Sequence, residues 1–294
     1  MRQLPTLRFS LRFLGLFVLS GQMIGSALAQ DSTATVLSTD SLIVKKSIFQ
    51  RGIIGRIATD GVNVFSTIGR TYAQPVHWQK RDFLRLGGTL AISASALLVE
   101  KQLFSFMERN HTPALDRLQE VGFTLGRPQL NYPIMLALWG SGVVFNNDWL
   151  RDTGIMVIAS VTTSGIIQTI SKEVVGRPRP QAGEGNLLLK PFGGPSYHSF
   201  PSGHATLSTA TFWILAHQVK PVPLKIVFYA LPVITGASRV YVGAHWLSDV
   251  LLGTALGVAC AESVIRLYPK IKANRNRSIS VLPGLNSARI TVRL

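Results

Sequence analysis

Three short stretches bring together cations, imidazoles and a carboxylate at spacings suited to phosphate chemistry. The first, Lys172-Glu173-Val174-Val175-Gly176-Arg177-Pro178-Arg179-Pro180, closes an apolar run. Arg179 can fork two phosphate oxygens while Lys172 supplies a point charge. Taken alone, basic residues at a helix end serve equally well to satisfy the macrodipole or to face lipid headgroups. The second, Ser199-Phe200-Pro201-Ser202-Gly203-His204-Ala205, opens another apolar run. A Pro-Ser-Gly turn before a helix offers free backbone N–H groups to an anion. Gly203 lets the backbone approach it, the Ser202 hydroxyl adds a hydrogen bond, and His204 titrates in the range of a general acid. An ordinary N-cap beside a surface histidine would read the same way. The third runs from Ser238 and Arg239 to His245 and Asp249. Four residues apart on a helix, His245 and Asp249 share a face, so the carboxylate can orient the imidazole. No hydroxyl or thiol stands in an equally obvious nucleophile position, which leaves His245 to attack phosphorus and Arg239 to clamp the equatorial oxygens. A structural helix pair or half a metal site would show the same spacing, although no HExxH or paired-Asp motif accompanies it.

Together the stretches resemble the three motifs of the type 2 phosphatidic acid phosphatase superfamily, K-x6-R-P, P-S-G-H and S-R-x5-H-x3-D. Every fixed position matches: Lys172, Arg179, Pro180, Pro201, Ser202, Gly203, His204, Ser238, Arg239, His245 and Asp249. The likeness covers roughly Tyr132–Leu267. It implies that His245 forms a phosphohistidine with Asp249 in support, and that His204 protonates the leaving oxygen. It also implies that Lys172, Arg179, Arg239, Ser202 and the Gly203 N–H hold the phosphate and its transition state, with no metal or other cofactor. Tyr197 and His198, between the motifs, read as solvated loop residues.

The elements that must position these groups are apolar. Hydrophobic residues make up 47% of the 294-residue chain and charged residues only 15%, against about 25% charged in an average soluble domain. Apolar segments recur at Phe83–Val99, Tyr132–Phe145, Thr153–Ile170, His204–Ala216, Leu224–Ala237 and Leu247–Leu267. Their Ala, Gly, Ser and Thr content permits close helix packing, though several fall short of the roughly 20 residues of a comfortable span. The expected fold is all-α: a membrane-embedded bundle of about six apolar helices, with the active site at one end. The lone Cys260 forms no internal disulfide and reads as a small core residue.

The N-terminus reads as an export signal, with Arg2, Arg8 and Arg12, an apolar stretch from Phe13, and Ala27-Leu28-Ala29 as the cleavage site. The expected organisation is a signal peptide over 1–29, a poorly defined region over 30–82, a catalytic bundle over 83–268, and a basic tail over 269–294 with a strand-like stretch at Ala288–Leu294. Six full spans after a cleaved signal would turn the motif-bearing end toward the cytoplasm. Basic residues crowd the opposite end, which by the positive-inside rule would make that end cytoplasmic. The two clues conflict, and the reading kept is an exported site in the cell envelope, on the membrane or periplasmic side.

A net charge of +16 calls for an anionic partner. Without a basic tract interleaved with aromatics, nucleic acid is not that partner. The expected one is a phosphorylated lipid, such as phosphatidate or a polyprenyl diphosphate, or another phosphoester. The alternatives are an exported soluble acid phosphatase of broad specificity and a vanadium haloperoxidase, against which the intact phosphatase-type motifs argue.

Overall fold

The structure, a computed structural model, describes residues 39–283 and 288–292, with side chains described over 52–275. The signal peptide expected over 1–29 lies outside the described residues. The chain divides into two compact units, Met1–Ile48 and Phe49–Leu294, and the described part of the first is helical. Nine α-helices run in order among the described residues: α1 Thr39–Tyr72, α2 Lys80–Ala96, α3 Glu100–Arg109, α4 Pro113–Leu125, α5 Pro128–Val144, α6 Asp148–Val175, α7 Gly203–Gln218, α8 Val222–Tyr241 and α9 Leu247–Ser278. A hairpin follows, β1 Ile279–Pro283 against β2 Ala288–Val292, antiparallel with Ile279 opposite Val292.

The six expected apolar segments correspond to α2 and α5 through α9, so the fold is helical as read. Three helices fall outside that reading, and α1 shows why. Its buried positions are Asp60, Asn63, Thr67 and Thr71, a stripe at helical spacing made of polar residues. Thr67 and Thr71 donate their hydroxyls to the carbonyls of Asn63 and Thr67, both at about one hydrogen-bond length. Ile54, Val62 and Phe65 point outward. A search for buried apolar periodicity therefore passes over this helix.

The same inversion runs through the bundle. Thr153, Ser160, Thr163, Ser164, Ser208 and Thr209 are buried, whereas Phe83, Leu84, Leu90, Leu136, Ile170, Ile226 and Val233 are exposed. Small polar residues inside and large apolar ones outside suit helices that pack in lipid. By length and composition α6 and α9 can each cross a membrane, and α2 with α3, bent by 55°, could form a third, broken span. The expected segment Phe83–Val99 ends at that bend, with its helical part in α2 and α3 lying beyond it.

A smaller apolar core joins Ile155, Val157 and Val161 of α6 to Ile214 of α7 and Val264 of α9, with Val64 and Ile68 of α1 against it. Close approach needs glycine at several contacts, Gly154 and Gly253 among them. A Cβ on Gly154 would run into the backbone of Trp139 on α5, and one on Gly253 of α9 would sit 2.7 Å from the carbonyl oxygen of Ser202. The second contact draws the start of α7 onto α9, where the second and third motifs meet. Gly154→Val should therefore force α5 from α6 and lower stability by about 3 kcal/mol, read as a reduced melting temperature in detergent.

Candidate active site

All three motifs lie at one end of the bundle, because α6 ends there, α7 begins there, α8 ends there and α9 begins there. Gly176 terminates α6 at φ +59°, a left-handed conformation that glycine adopts without strain. A Cβ there would collide with the Lys190 carbonyl. The turn sends the chain through Arg177 and Arg179 across the bundle end. Backbone bonds then stitch the motifs together: Ser199 N–H donates to the Arg177 carbonyl at 3.0 Å, and Ser202 N–H to the Asp249 carbonyl at 3.0 Å. The Trp246 indole donates to the Pro178 carbonyl at 2.9 Å.

His245 lies in the turn between α8 and α9 and is almost fully buried. Its Nδ1 is 2.7 Å from the Ser199 carbonyl oxygen. A carbonyl only accepts, so this contact assigns the proton to Nδ1 and leaves the lone pair on Nε2. The expected direct support from Asp249 is arranged differently. Its Oδ2 is 3.9 Å from His245 Nδ1 and instead accepts from the Ser199 hydroxyl at 2.6 Å and from Trp246 N–H at 3.0 Å. Asp249 thus holds the residue that holds the histidine. Its charge still lies close enough to stabilise an imidazolium.

The other oxygen of Asp249 accepts from Arg177 Nη1 at 2.6 Å. Arg177 is one of the unspecified positions inside K-x6-R-P, yet it is buried and spends its whole guanidinium on the site. Nη2 donates to Glu100 at 2.7 Å and to the Asn186 carbonyl at 2.7 Å, Nη1 also reaches the Ser248 hydroxyl at 2.8 Å, and Nε donates to Asn186 at 2.9 Å. Glu100, at the start of α3, accepts in turn from the Ser248 N–H and hydroxyl at 2.8 and 2.6 Å. Two carboxylates share one guanidinium with most donors and acceptors matched, the condition under which a buried ion pair is tolerated.

His204 is the second residue of α7. Phe123 of α4 stacks on it, with ring centroids 5.0 Å apart, and the same ring carries Arg239 at 4.5 Å and Arg127 at 4.9 Å. Neither Phe123 nor Arg127 lies in a motif, and no local signal marks them. Burial first, then the charges of Arg239, Lys172, Arg179 and Arg127, push the His204 pKa down to about 4. Burial first, then Lys172 and Arg179, also hold His245 well below the ordinary histidine value, against the opposing effect of its bond to Ser199. Of the five anion-binding positions expected from the motifs, Lys172 and Arg179 act on both imidazoles, Arg239 acts on His204, and Ser202 and Gly203 adjoin His204 in the chain. Lys172 Nζ donates to the His198 carbonyl at 2.7 Å, Arg239 is buried, Arg179 is exposed, and Ser202 caps α7 through a long 3.5 Å contact from Ala205 N–H. A cavity of about 170 Å³ opens beside His204 and Gly203, lined also by Gly126, Tyr132 and Gln168. His198, read as a solvated loop residue, faces Glu173 at 3.1 Å. Among the described residues, no three His, Cys, Asp or Glu side chains gather as a metal site.

The family profile described as PAP2 superfamily matches residues 153–273. A lipid A 1-phosphatase of Rhizobium etli is 36% identical over 107 residues, 35% of this chain and 45% of that protein. An undecaprenyl-diphosphatase of Sulfolobus acidocaldarius is 30% identical over 158 residues, 53% of this chain and 72% of that protein. Phosphatidylglycerophosphatase B of Bacillus subtilis is 26% identical over 196 residues, 64% of this chain and 86% of that protein. The chain spans less than half the length of the rhizobial relatives it matches. Glu100, Phe123 and Arg127 precede the residues that the family profile matches.

Two outcomes follow from this geometry. Glu100→Ala strands part of a buried guanidinium and the Ser248 N–H, and should cost about 3–5 kcal/mol of stability, measurable by chemical unfolding, with Glu100→Gln milder. Anion binding should reverse the charge effect on His204. Between about pH 4 and the ordinary histidine value near 6.5, the free site keeps this ring neutral while the unfolded chain protonates it, so stability falls as pH drops through that window. Inorganic phosphate, by offsetting the cations, raises its pKa and draws in a proton. Calorimetry in buffers of different ionisation enthalpy should detect that uptake, and His204→Gln should remove it.

Proposed function

We propose, on the premise that the chain belongs to the PAP2 superfamily, that it hydrolyses a phosphate ester or pyrophosphate of a membrane lipid through a phosphohistidine. The observation that carries this reading is that two motif residues sharing the Phe123 ring, Arg239 and His204, are among those with buried, unpartnered polar atoms. Among the described residues, Arg239 Nη2 and His204 Nε2 have no hydrogen-bond partner, and buried polar groups rarely stay so without a functional reason. A phosphate supplies the acceptor for the guanidinium, and its ester oxygen the acceptor for a protonated His204.

The chemistry proceeds in two displacements. His245 Nε2, unprotonated because its ring is buried among cations, forms a bond to phosphorus as the bond to the leaving oxygen breaks. His204, charged once the substrate's anion faces it, gives that oxygen its proton and releases the alcohol or phosphate. Water then attacks phosphorus, His204 takes the water's proton, and the N–P bond breaks to return His245 and free phosphate. Lys172, Arg179, Arg239, Ser202 and the Gly203 N–H hold the equatorial oxygens, the fixed-charge stabilisation on which phosphoryl transfer relies. Asp249, through Ser199, keeps His245 in its attacking tautomer.

The lipid class rests on the outward-facing apolar side chains, on α6 and α9 as candidate spans, and on relatives named for lipid A, phosphatidylglycerophosphate and undecaprenyl diphosphate. We further assign the site to the exported side of the envelope, on the export-type N-terminus. The deciding assay is phosphate release in detergent from a polyprenyl diphosphate, phosphatidate and p-nitrophenyl phosphate. Wild type should prefer a lipid, and His245→Ala should lose at least about 10⁴-fold in kcat while folding normally. Substantial residual activity would refute the nucleophile. Equal activity on the soluble ester would favour a broad acid phosphatase, and bromide oxidation with added vanadate would favour a haloperoxidase.

A further inference from the structure

The chain between the first two motifs carries an unusual run. Leu187, Leu188 and Leu189 are 71%, 42% and 56% exposed, and Phe192 is 76% exposed. These residues are not held loosely. Asn186, buried just before them, donates to the Leu97 carbonyl at 3.0 Å and accepts from Arg177. After them, Lys190 N–H donates to the Gly176 carbonyl at 2.7 Å, and Phe192 N–H to the Glu173 carbonyl at 2.8 Å. Phe192 itself has φ +57°, a backbone region a bulky residue adopts only when its surroundings insist. The fold therefore fixes four large apolar side chains in an outward position, next to the phosphate-binding turn.

Their location names the partner. Both late anchors, Glu173 and Gly176, belong to the end of α6, a helix long and apolar enough to cross a membrane. The loop thus stands where that helix would leave the hydrocarbon layer. Leu187 and Leu189 also wall an apolar recess of about 390 Å³ with Leu90 and Leu97 beside α2, and Leu252 of α9. Lys190, exposed within the run, lies 4.9 Å over the ring of Tyr197, so a cation and an aromatic flank the leucines as they do at membrane interfaces. Contiguous exposed apolar surface of this kind marks a contact site.

We propose that the Leu187–Phe192 loop inserts into the leaflet on the active-site side, where it seats lipid acyl chains beside the phosphate pocket. The substrate-capture half of this rests on the lipid-phosphatase reading, whereas the insertion half does not. Insertion would keep the site at the depth of a lipid headgroup and let substrate enter without leaving the bilayer.

The test uses the full chain in vesicles of phosphatidylethanolamine and phosphatidylglycerol. Cys260 is the only cysteine, so a Cys260→Ala background allows one fluorophore at Leu188→Cys and, as a control outside the loop in the turn after the first motif, at the exposed Ala182→Cys. Doxyl-labelled lipid should quench the probe at 188 at least about threefold more strongly than at 182, with a blue-shifted emission. Equal, water-like emission at both positions overturns insertion, whatever the enzyme hydrolyses. The paired change Leu188→Gln with Phe192→Asn, which places a residue tolerant of positive φ at 192, reads capture. It should raise KM for phosphatidate in vesicles about fivefold and leave turnover of p-nitrophenyl phosphate unaltered. An unchanged KM for the lipid, or equal losses on both substrates, overturns the capture role. If wild type releases no phosphate from any lipid, the functional reading fails while the quenching result still decides insertion.

Discussion

Like charges repel most strongly where water is scarce, and this site gathers Lys172, Arg179, Arg239 and Arg127 around two buried imidazoles. Such a cluster holds its shape only if something other than solvent fixes each member. Arg239 and Arg127 rest on the Phe123 ring, and Lys172 is tethered to a backbone carbonyl. The imidazoles answer by staying neutral. The free site is thus a set of cations that outnumbers the one nearby carboxylate, Asp249, which Arg177 already engages, and an arriving phosphate relieves the repulsion, gains its ligands and lets His204 hold a proton in a single event. Binding and acid catalysis share one electrostatic cause.

The support for that arrangement lies one layer further in. Asp249 does not touch His245 directly; it fixes Ser199, and Ser199 fixes the ring through a carbonyl that cannot donate. Arg177 then anchors Asp249, and Glu100 anchors Arg177. This chain of contacts runs from the nucleophile to the break between α2 and α3, so the bent helix pair acts as a buttress for the site. The arrangement also explains how a buried carboxylate can remain charged beside an apolar bundle: its partner is a guanidinium whose own donors are nearly all engaged.

How much of this could be read from sequence follows from distance along the chain. Lys172 to Arg179, Ser202 to His204 and His245 to Asp249 are short spacings set by one helix end or one turn, so residue type and interval sufficed to nominate them. Six helices announced themselves by apolar runs. Glu100 and Arg177 could not be paired from sequence, because 77 residues separate them and the arginine sits at a variable position of a motif. Ser199 stands two residues before the second motif, but its role depends on where a carbonyl points. Phe123 and Arg127 act through a ring face that only the packing of α4 against α7 and α8 supplies. For α1 the difficulty was of another kind, since its buried face is polar and the usual hydrophobic signal is reversed.

That reversal bears on what holds the bundle together. Helices with large apolar residues outside and Ser, Thr and Gly inside gain little hydrophobic drive from one another in lipid, so close packing and polar contacts must serve instead. The two ends of the bundle show it. At the site end, Arg177 joins α3, the motif turn and α9. At the far end, Asp60 of α1 meets the Trp139 indole of α5 at 3.1 Å and Arg151 of α6 at 3.3 Å, while Asp152 of α6 accepts from Tyr268 and Lys272 of α9. Between them, glycine contacts such as Gly154 against Trp139 and Gly253 against Ser202 bring backbones together. A bundle clamped in this way at both ends is stiff where the cations converge, and that stiffness keeps mutually repelling groups in place for an anion.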